Sequence, residues 1–135
     1  MTLKIPTTVY IEMVHAAQKT APLEACGLLG GNNRQVSRFY LLTNADASPE
    51  HFSMIPEEQF AAAKDMRKRG INILAIWHSH PSTPARMSAE DAKLAFTPDV
   101  AYVIVSLAQG ANPECRAFAV NEGIPQSIEV VIANE

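Results

Sequence analysis

The chain has 135 residues, 47% hydrophobic and 19% charged, enough to bury one core and too apolar for a disordered protein, so one globular domain over residues 1–135 is expected. Lys and Arg total 11 against 14 Asp and Glu, a net charge of -3, which lacks the basic footprint that nucleic acid demands. Two cysteines, Cys26 and Cys115, with no CxxC pair exclude a disulfide scaffold. The apolar runs fall far short of the roughly 20 residues of a membrane span. "MTLKIPTTVY" lacks the apolar core of a signal peptide, so the cytoplasm is the expected compartment, with no membrane partner.

In chain order, helical spacing of Val9, Met13 and Ala16, and of Tyr10, Val14 and Ala17, predicts a helix from Thr7 to Thr20, stopped by Pro22. "EACGLLGG" reads as a short buried strand closed by a Gly30-Gly31 turn, and "QVSRFYLL" as a half-exposed strand. "HFSMI" is a brief strand candidate ahead of Pro56. Pro56, Glu57 and Glu58 then open a helix that carries Lys68 and Arg69 at its end and stops at Gly70. "INILAIWH" is a continuous apolar run of the kind buried on both faces. Ser88 to Phe96 forms a short helix, and "VAYVIVSL", "CRAFAV" and "SIEVVI" supply three more strands. Mixed strands and helices without strict alternation imply an α/β fold, a mixed curved sheet flanked by helices.

The chemistry gathers in "IWHSHPSTPARMSAED". Residues two apart on a strand share a face, so His78 and His80 direct two imidazoles to one point with Ser79 turned away. Pro81 ends the ladder, and the loop after it can fold Asp91, in the first turn of the next helix, back over the strand end. Two imidazoles and a carboxylate are a three-ligand set for zinc, with the fourth tetrahedral place left to water. Zinc lowers the pKa of such a water towards neutrality, and hydrolysis then needs a base. Glu24, an acid opening an otherwise apolar strand, is the candidate.

Each feature also has a plain structural use. A His-x-His at a strand end can be packed and satisfied. Ser88 and Asp91 match the spacing of a capping box, with Asp in place of Glu or Gln. Glu24 can cap a turn after Pro22, and Cys26, on the Glu24 face by strand parity, can be a small hydrophobe. His15 and His51 have no ligand-spaced neighbour and read as structural. The conjunction, not any single residue, favours the metal.

The pattern H-x-H-P, six residues, S-x-x-D, with "PLEACGLLGG" upstream, resembles the signature of the JAMM (MPN-plus) zinc metalloproteases. Each fixed position has a background usage of only a few per cent, so the joint pattern rarely arises by chance. The resemblance covers nearly the whole chain, as a standalone prokaryotic member. It implies a JAMM/MPN-like fold with cytidine-deaminase-like layering, and one zinc on His78, His80, Asp91 and a water. It further implies Glu24 as general base and then acid, and Ser88 as the oxyanion donor. Family members cleave peptide or isopeptide bonds, often after the Gly-Gly tail of a ubiquitin-like protein, and small prokaryotic members are linked to sulfur carrier proteins. Such a tail could add to a sheet edge between the segments Asn44 to Met54 and Ser82 to Met87. The competing readings are a scaffold that binds a ubiquitin-like partner without cleaving it, which the intact ligand set disfavours, and a nucleobase deaminase. The deaminase needs H-x-E and P-C-x-x-C, and neither is present.

Overall fold

The computed structural model describes residues 2–95, 97 and 99–133. In chain order the elements are β1 (Thr2–Pro6), α1 (Thr7–Thr20), β2 (Cys26–Asn32), β3 (Gln35–Leu42), α2 (Pro56–Arg69), β4 (Asn72–His80), α3 (Ala89–Leu94), β5 (Ala101–Ser106), β6 (Glu114–Asn121) and β7 (Ile124–Ala133). The curved sheet closes into a barrel ordered β1-β3-β2-β4-β5-β6-β7. Pairing is mixed: β2 is antiparallel to β3 and β4, β4 is parallel to β5, and β1 is parallel to β7.

Both long helices lie where their periodicity places them. Val9, Met13, Ala16 and Ala17 form the buried stripe of α1. In α2, Pro56 opens the helix, Glu57 and Glu58 occupy the first turn, and Gly70 ends it in the left-handed region at φ 69, a conformation that costs glycine nothing. Ser88 is the N-cap of α3 rather than its first residue. The expected end of that helix at Phe96 lies outside the described residues.

Three expectations change. Gly30 and Gly31 are not a turn but part of β2, and the reversal falls on Asn33 and Arg34 with φ 53 and 60. Glycine is needed within β2 because the backbones crowd: a Cβ on Gly31 would run into the Gln35 carbonyl, and one on Gly27 into that of Tyr40. "HFSMI" forms no strand, only an isolated bridge from Met54 to Asn44. β1 carries no alternation long enough to announce it, yet it closes the barrel, pairing Leu3 with Val130 and Ile5 with Ile132 on one side and Lys4 with Gln35 on the other.

Strand alternation gives the wall two faces. Leu29, Ala75, Trp77, Val103 and Val105 pack against Val9, Met13 and Ala17 of α1. Leu28 and Ile76 face the other way, towards Ala62 and Met66 of α2. Burying each large apolar side chain stabilises by ~1.5–3 kcal/mol. The even positions of β4 continue from Ile76 to His78 and His80, so both imidazoles emerge on the α2 side. The early part of β4 is less buried than its apolar run suggests, since Ile73 is 37% exposed. Its last four residues, Trp77 to His80, are all buried.

Candidate metal centre

The end of β4 is held between two neighbours. Cys26 of β2 pairs with His78, and Ile104 and Ser106 of β5 pair with His78 and His80. Just before the first β2 residue, the Ser79 N–H donates to the Ala25 carbonyl at 2.9 Å and the Ala25 N–H donates to Ser79 Oγ at 2.8 Å. Ser79 thereby extends the ladder by one step and pins the residue after Glu24. The loop that follows is held by Ser106 Oγ, which donates to the Thr83 carbonyl at 2.5 Å, and by Ala85, buried against Ile104 and Phe118.

The sequence places Ser88 and Asp91 in a capping box, and the box forms: the Asp91 N–H donates to Ser88 Oγ, and the Ser88 N–H donates to Asp91 Oδ2, both at 3.0 Å. The same Oδ2 lies 3.1 Å from His80 Nε2 and 3.4 Å from His78 Nε2, and the two Nε2 atoms are 3.1 Å apart. Two ligands about 2.0–2.2 Å from a shared tetrahedral ion stand roughly 3.3–3.6 Å apart, so these three atoms match one face of such a tetrahedron to within a few tenths of an ångström. His80 Nδ1 is 2.8 Å from the Pro84 carbonyl. Donation from Nδ1 to that carbonyl would leave the Nε2 lone pair available to a metal, the usual outer support of a metal-bound imidazole. Lone pairs of two buried imidazoles facing each other need a proton or a cation between them, so the donor set fits zinc.

Electrostatics agree. Burial holds His78 below the ordinary imidazole value. Burial also pulls His80 down, but the Asp91 carboxylate and the Pro84 carbonyl outweigh it, and His80 is raised. Against the upward push of burial, hydrogen bonds from His78 and His80 hold the Asp91 carboxyl well below the usual range. Metal binding to such a set requires neutral imidazoles, so affinity for a metal falls as the pH drops.

Glu24 joins from the β2 side, 3% exposed, and one ligand atom each of Glu24, His78 and His80 lie within 4.8 Å of one another. Its Oε1 is buried with no hydrogen-bond partner. Burial raises the Glu24 carboxyl to about 7; His80 opposes the rise and Asp91 adds to it. A carboxyl poised near neutrality is suited to taking and returning a proton. Cys26, by contrast, is fully buried with its thiol pushed up to about 12 by burial, an inert hydrophobe as expected.

A cleft of about 280 Å³ opens beside His78 and Asp91, lined among others by His51, Phe52, Met54, Ile76, Met87 and Tyr102. Phe52 stacks on the His78 ring, centroids 4.8 Å apart. Sequence reasoning expected the segment Asn44 to Met54 beside the groove but did not single out Phe52. His51, read as structural, pairs with Asp46 at 2.8 Å and is also among the residues lining the cleft. A long irregular loop between a strand and a helix was the available signal. His15 is exposed on α1.

The model of the family described as prokaryotic homologs of the JAB domain matches residues 6–121, and the chain belongs to that family, as the His78-to-Asp91 pattern implied. It is 34% identical over 113 residues to the CysO-cysteine peptidase of Mycobacterium tuberculosis, covering 82% of this chain and 77% of that protein. It is 36% identical over 115 residues to a Thermus thermophilus protein named "Probable TtuB-protein conjugate cleaving protease", covering 84% and 72%. Among solved structures, protein DSY2949 from Desulfitobacterium hafniense matches with a TM-score of 0.90 at 45% identity, covering 100% of this chain and 94% of that one.

Proposed function

We propose that residues 1–135 are one zinc metallopeptidase domain that hydrolyses the amide bond following the C-terminal Gly-Gly of a ubiquitin-like or sulfur carrier protein in the cytoplasm. The observation that carries this reading is the convergence of His78 Nε2, His80 Nε2 and Asp91 Oδ2 within 3.1–3.4 Å of one another beside the buried Glu24, whose Oε1 has no hydrogen-bond partner. The names of the two curated relatives, one a CysO-cysteine peptidase and one a protease of TtuB-protein conjugates, support both the reaction and the kind of partner. Among the described residues no helix is long and apolar enough to cross a membrane.

His78, His80 and Asp91 would hold the metal, which supplies Lewis acidity and makes water a competent nucleophile near neutral pH. Glu24 takes the proton of the attacking water and delivers it to the departing nitrogen, a role matched to a carboxyl near 7. The Ser88 hydroxyl accepts from the Asp91 N–H, which leaves its own proton free to donate to the oxyanion that develops on the scissile carbonyl. Phe52 and Met87, which both line the cleft, keep water from the remaining space around a thin glycine tail.

Metal analysis of the purified protein is expected to find one zinc per chain, and the protein to cleave a carrier extended beyond its Gly-Gly. Glu24→Gln is expected to keep the zinc and lose cleavage by roughly 100-fold or more. A protein that binds no zinc, or a Glu24→Gln variant that cleaves at the wild-type rate, overturns the proposal.

A further inference from the structure

The loop between β3 and α2 has little regular structure beyond the Asn44–Met54 bridge, yet it closes around one side chain. Asn44 Nδ2 donates to the Glu24 carbonyl at 3.1 Å, to the His51 carbonyl at 3.0 Å and, more weakly, to the Ser48 carbonyl at 3.4 Å. Asn44 Oδ1 accepts from the Asp46 N–H at 3.0 Å and the Ser53 N–H at 3.3 Å. The Glu24 N–H meanwhile donates to the Ser48 carbonyl at 2.9 Å. Glu24 stands outside β2, and the loop grips it at both ends, its N–H through Ser48 and its carbonyl through Asn44.

The same amide also bonds the segment that carries Phe52. The His51 carbonyl that Asn44 holds belongs to the peptide leading into Phe52, whose ring lies on His78. One planar group therefore fixes the main chain behind the proposed base and the main chain behind the ring that covers a proposed ligand. The loop is mostly exposed; its other bonds, such as the Ala45 N–H to the Ser53 carbonyl and the Ser53 hydroxyl to Asp46, close the loop on itself, whereas Asn44 and the Ser48 carbonyl tie it to Glu24.

We infer that Asn44 is a positioning residue for the hydrolytic site, holding Glu24 in register with His78 through the main chain. The inference rests on the hydrolase reading above for its effect on rate, not for its effect on structure. Asn44→Asp keeps the size and the acceptor for the Asp46 and Ser53 N–H groups but replaces the donor facing three carbonyls with an oxygen. Because a displacement of about 1 Å can cost on the order of 100-fold in rate, kcat is expected to fall by roughly 10- to 100-fold. KM is expected to stay within about twofold, since no substrate contact is removed, and zinc content to remain that of the wild type.

The structural readout is amide hydrogen exchange on the zinc-loaded protein. The Glu24 N–H is expected to exchange at least about tenfold faster in Asn44→Asp, while Leu29 and Val103 in the barrel wall keep their protection. Unchanged exchange at Glu24 overturns the inference, as does a loss of kcat that merely follows lost zinc. If the wild-type protein cleaves no Gly-Gly-extended carrier, the hydrolase reading fails, and exchange at Glu24 alone decides the role of Asn44. Should the Asp variant fail to fold, Asn44→Ser, which lacks the amide donor's reach, is read by the same two measurements.

Discussion

Oδ2 of Asp91 accepts the Ser88 N–H at 3.0 Å while facing both imidazoles. The capping bond and the proposed metal bond are thus not alternatives. The cap aims the carboxylate at the two imidazoles, the direction that the proposed ligand role requires. Ser88 is the partner whose two roles can be separated by magnitude. Removing an N-cap hydroxyl costs ~1 kcal/mol of stability, too little to depopulate a folded domain. Removing an oxyanion donor costs about 100- to 1,000-fold in rate. Ser88→Ala is therefore expected to melt only a few degrees lower and to lose about 100-fold in cleavage. A variant that melts lower but cleaves normally would restrict Ser88 to the cap. The candidate residues themselves were legible because each lies in a local pattern, strand parity for His78 and His80 and helix-cap spacing for Ser88 and Asp91. Phe52 was not, because an aromatic residue in a loop has no spacing to read.

Between elements, the join of β3 to α2 controls the loop that frames the site. The Tyr40 hydroxyl donates to Asp65 Oδ2 at 2.6 Å, and Arg69 Nε donates to the same oxygen at 2.8 Å. The hydrogen bond from Tyr40, and then that from Arg69, hold the Asp65 carboxyl below the usual carboxylate range. Its folded value lies below its unfolded one, so this contribution is present above the ordinary carboxylate pKa and is lost as the pH falls through the folded value. Tyr40→Phe removes the leading cause. Its acid-unfolding midpoint, followed by circular dichroism, is expected at a higher pH than that of the wild type. Coincident midpoints would show that the join contributes nothing in acid. At the other end of the loop, Glu58 accepts from the Thr43 N–H at 2.7 Å and from the Thr43 hydroxyl at 2.8 Å, so α2 anchors the loop's start as well.

At the scale of the whole molecule, the candidate ligands come from β4 and α3, the candidate base from the approach to β2, and the framing loop from between β3 and α2. A metal bound by the folded chain but not by the unfolded one stabilises it by mass action, about 2.7 kcal/mol at a hundredfold excess over Kd. For a domain of this size that is a rise of about 10 °C in Tm. Chelation is expected to lower Tm by that order, and zinc to restore it. A Tm indifferent to both would mean that the three ligand atoms do not act together.

The sequence by itself determined the two amphipathic helices, the strand ending in His78 and His80, the capped turn bearing Asp91 and the apolar setting of Glu24. These depend on neighbours within a few positions, where the helical and strand periods act directly. Only the tertiary structure decided that β1 closes the barrel, that the reversal falls on Asn33 and Arg34 rather than on Gly30 and Gly31, the second of which is held in close backbone contact, and that Asn44 ties the loop to Glu24. Those outcomes depend on which backbones approach one another across long separations, and no local pattern encodes that. "HSHP" and "SAED" could announce a metal site. That the site stands 3.1–3.4 Å across, with a carboxyl near 7 beside it, follows from burial that the closed sheet supplies.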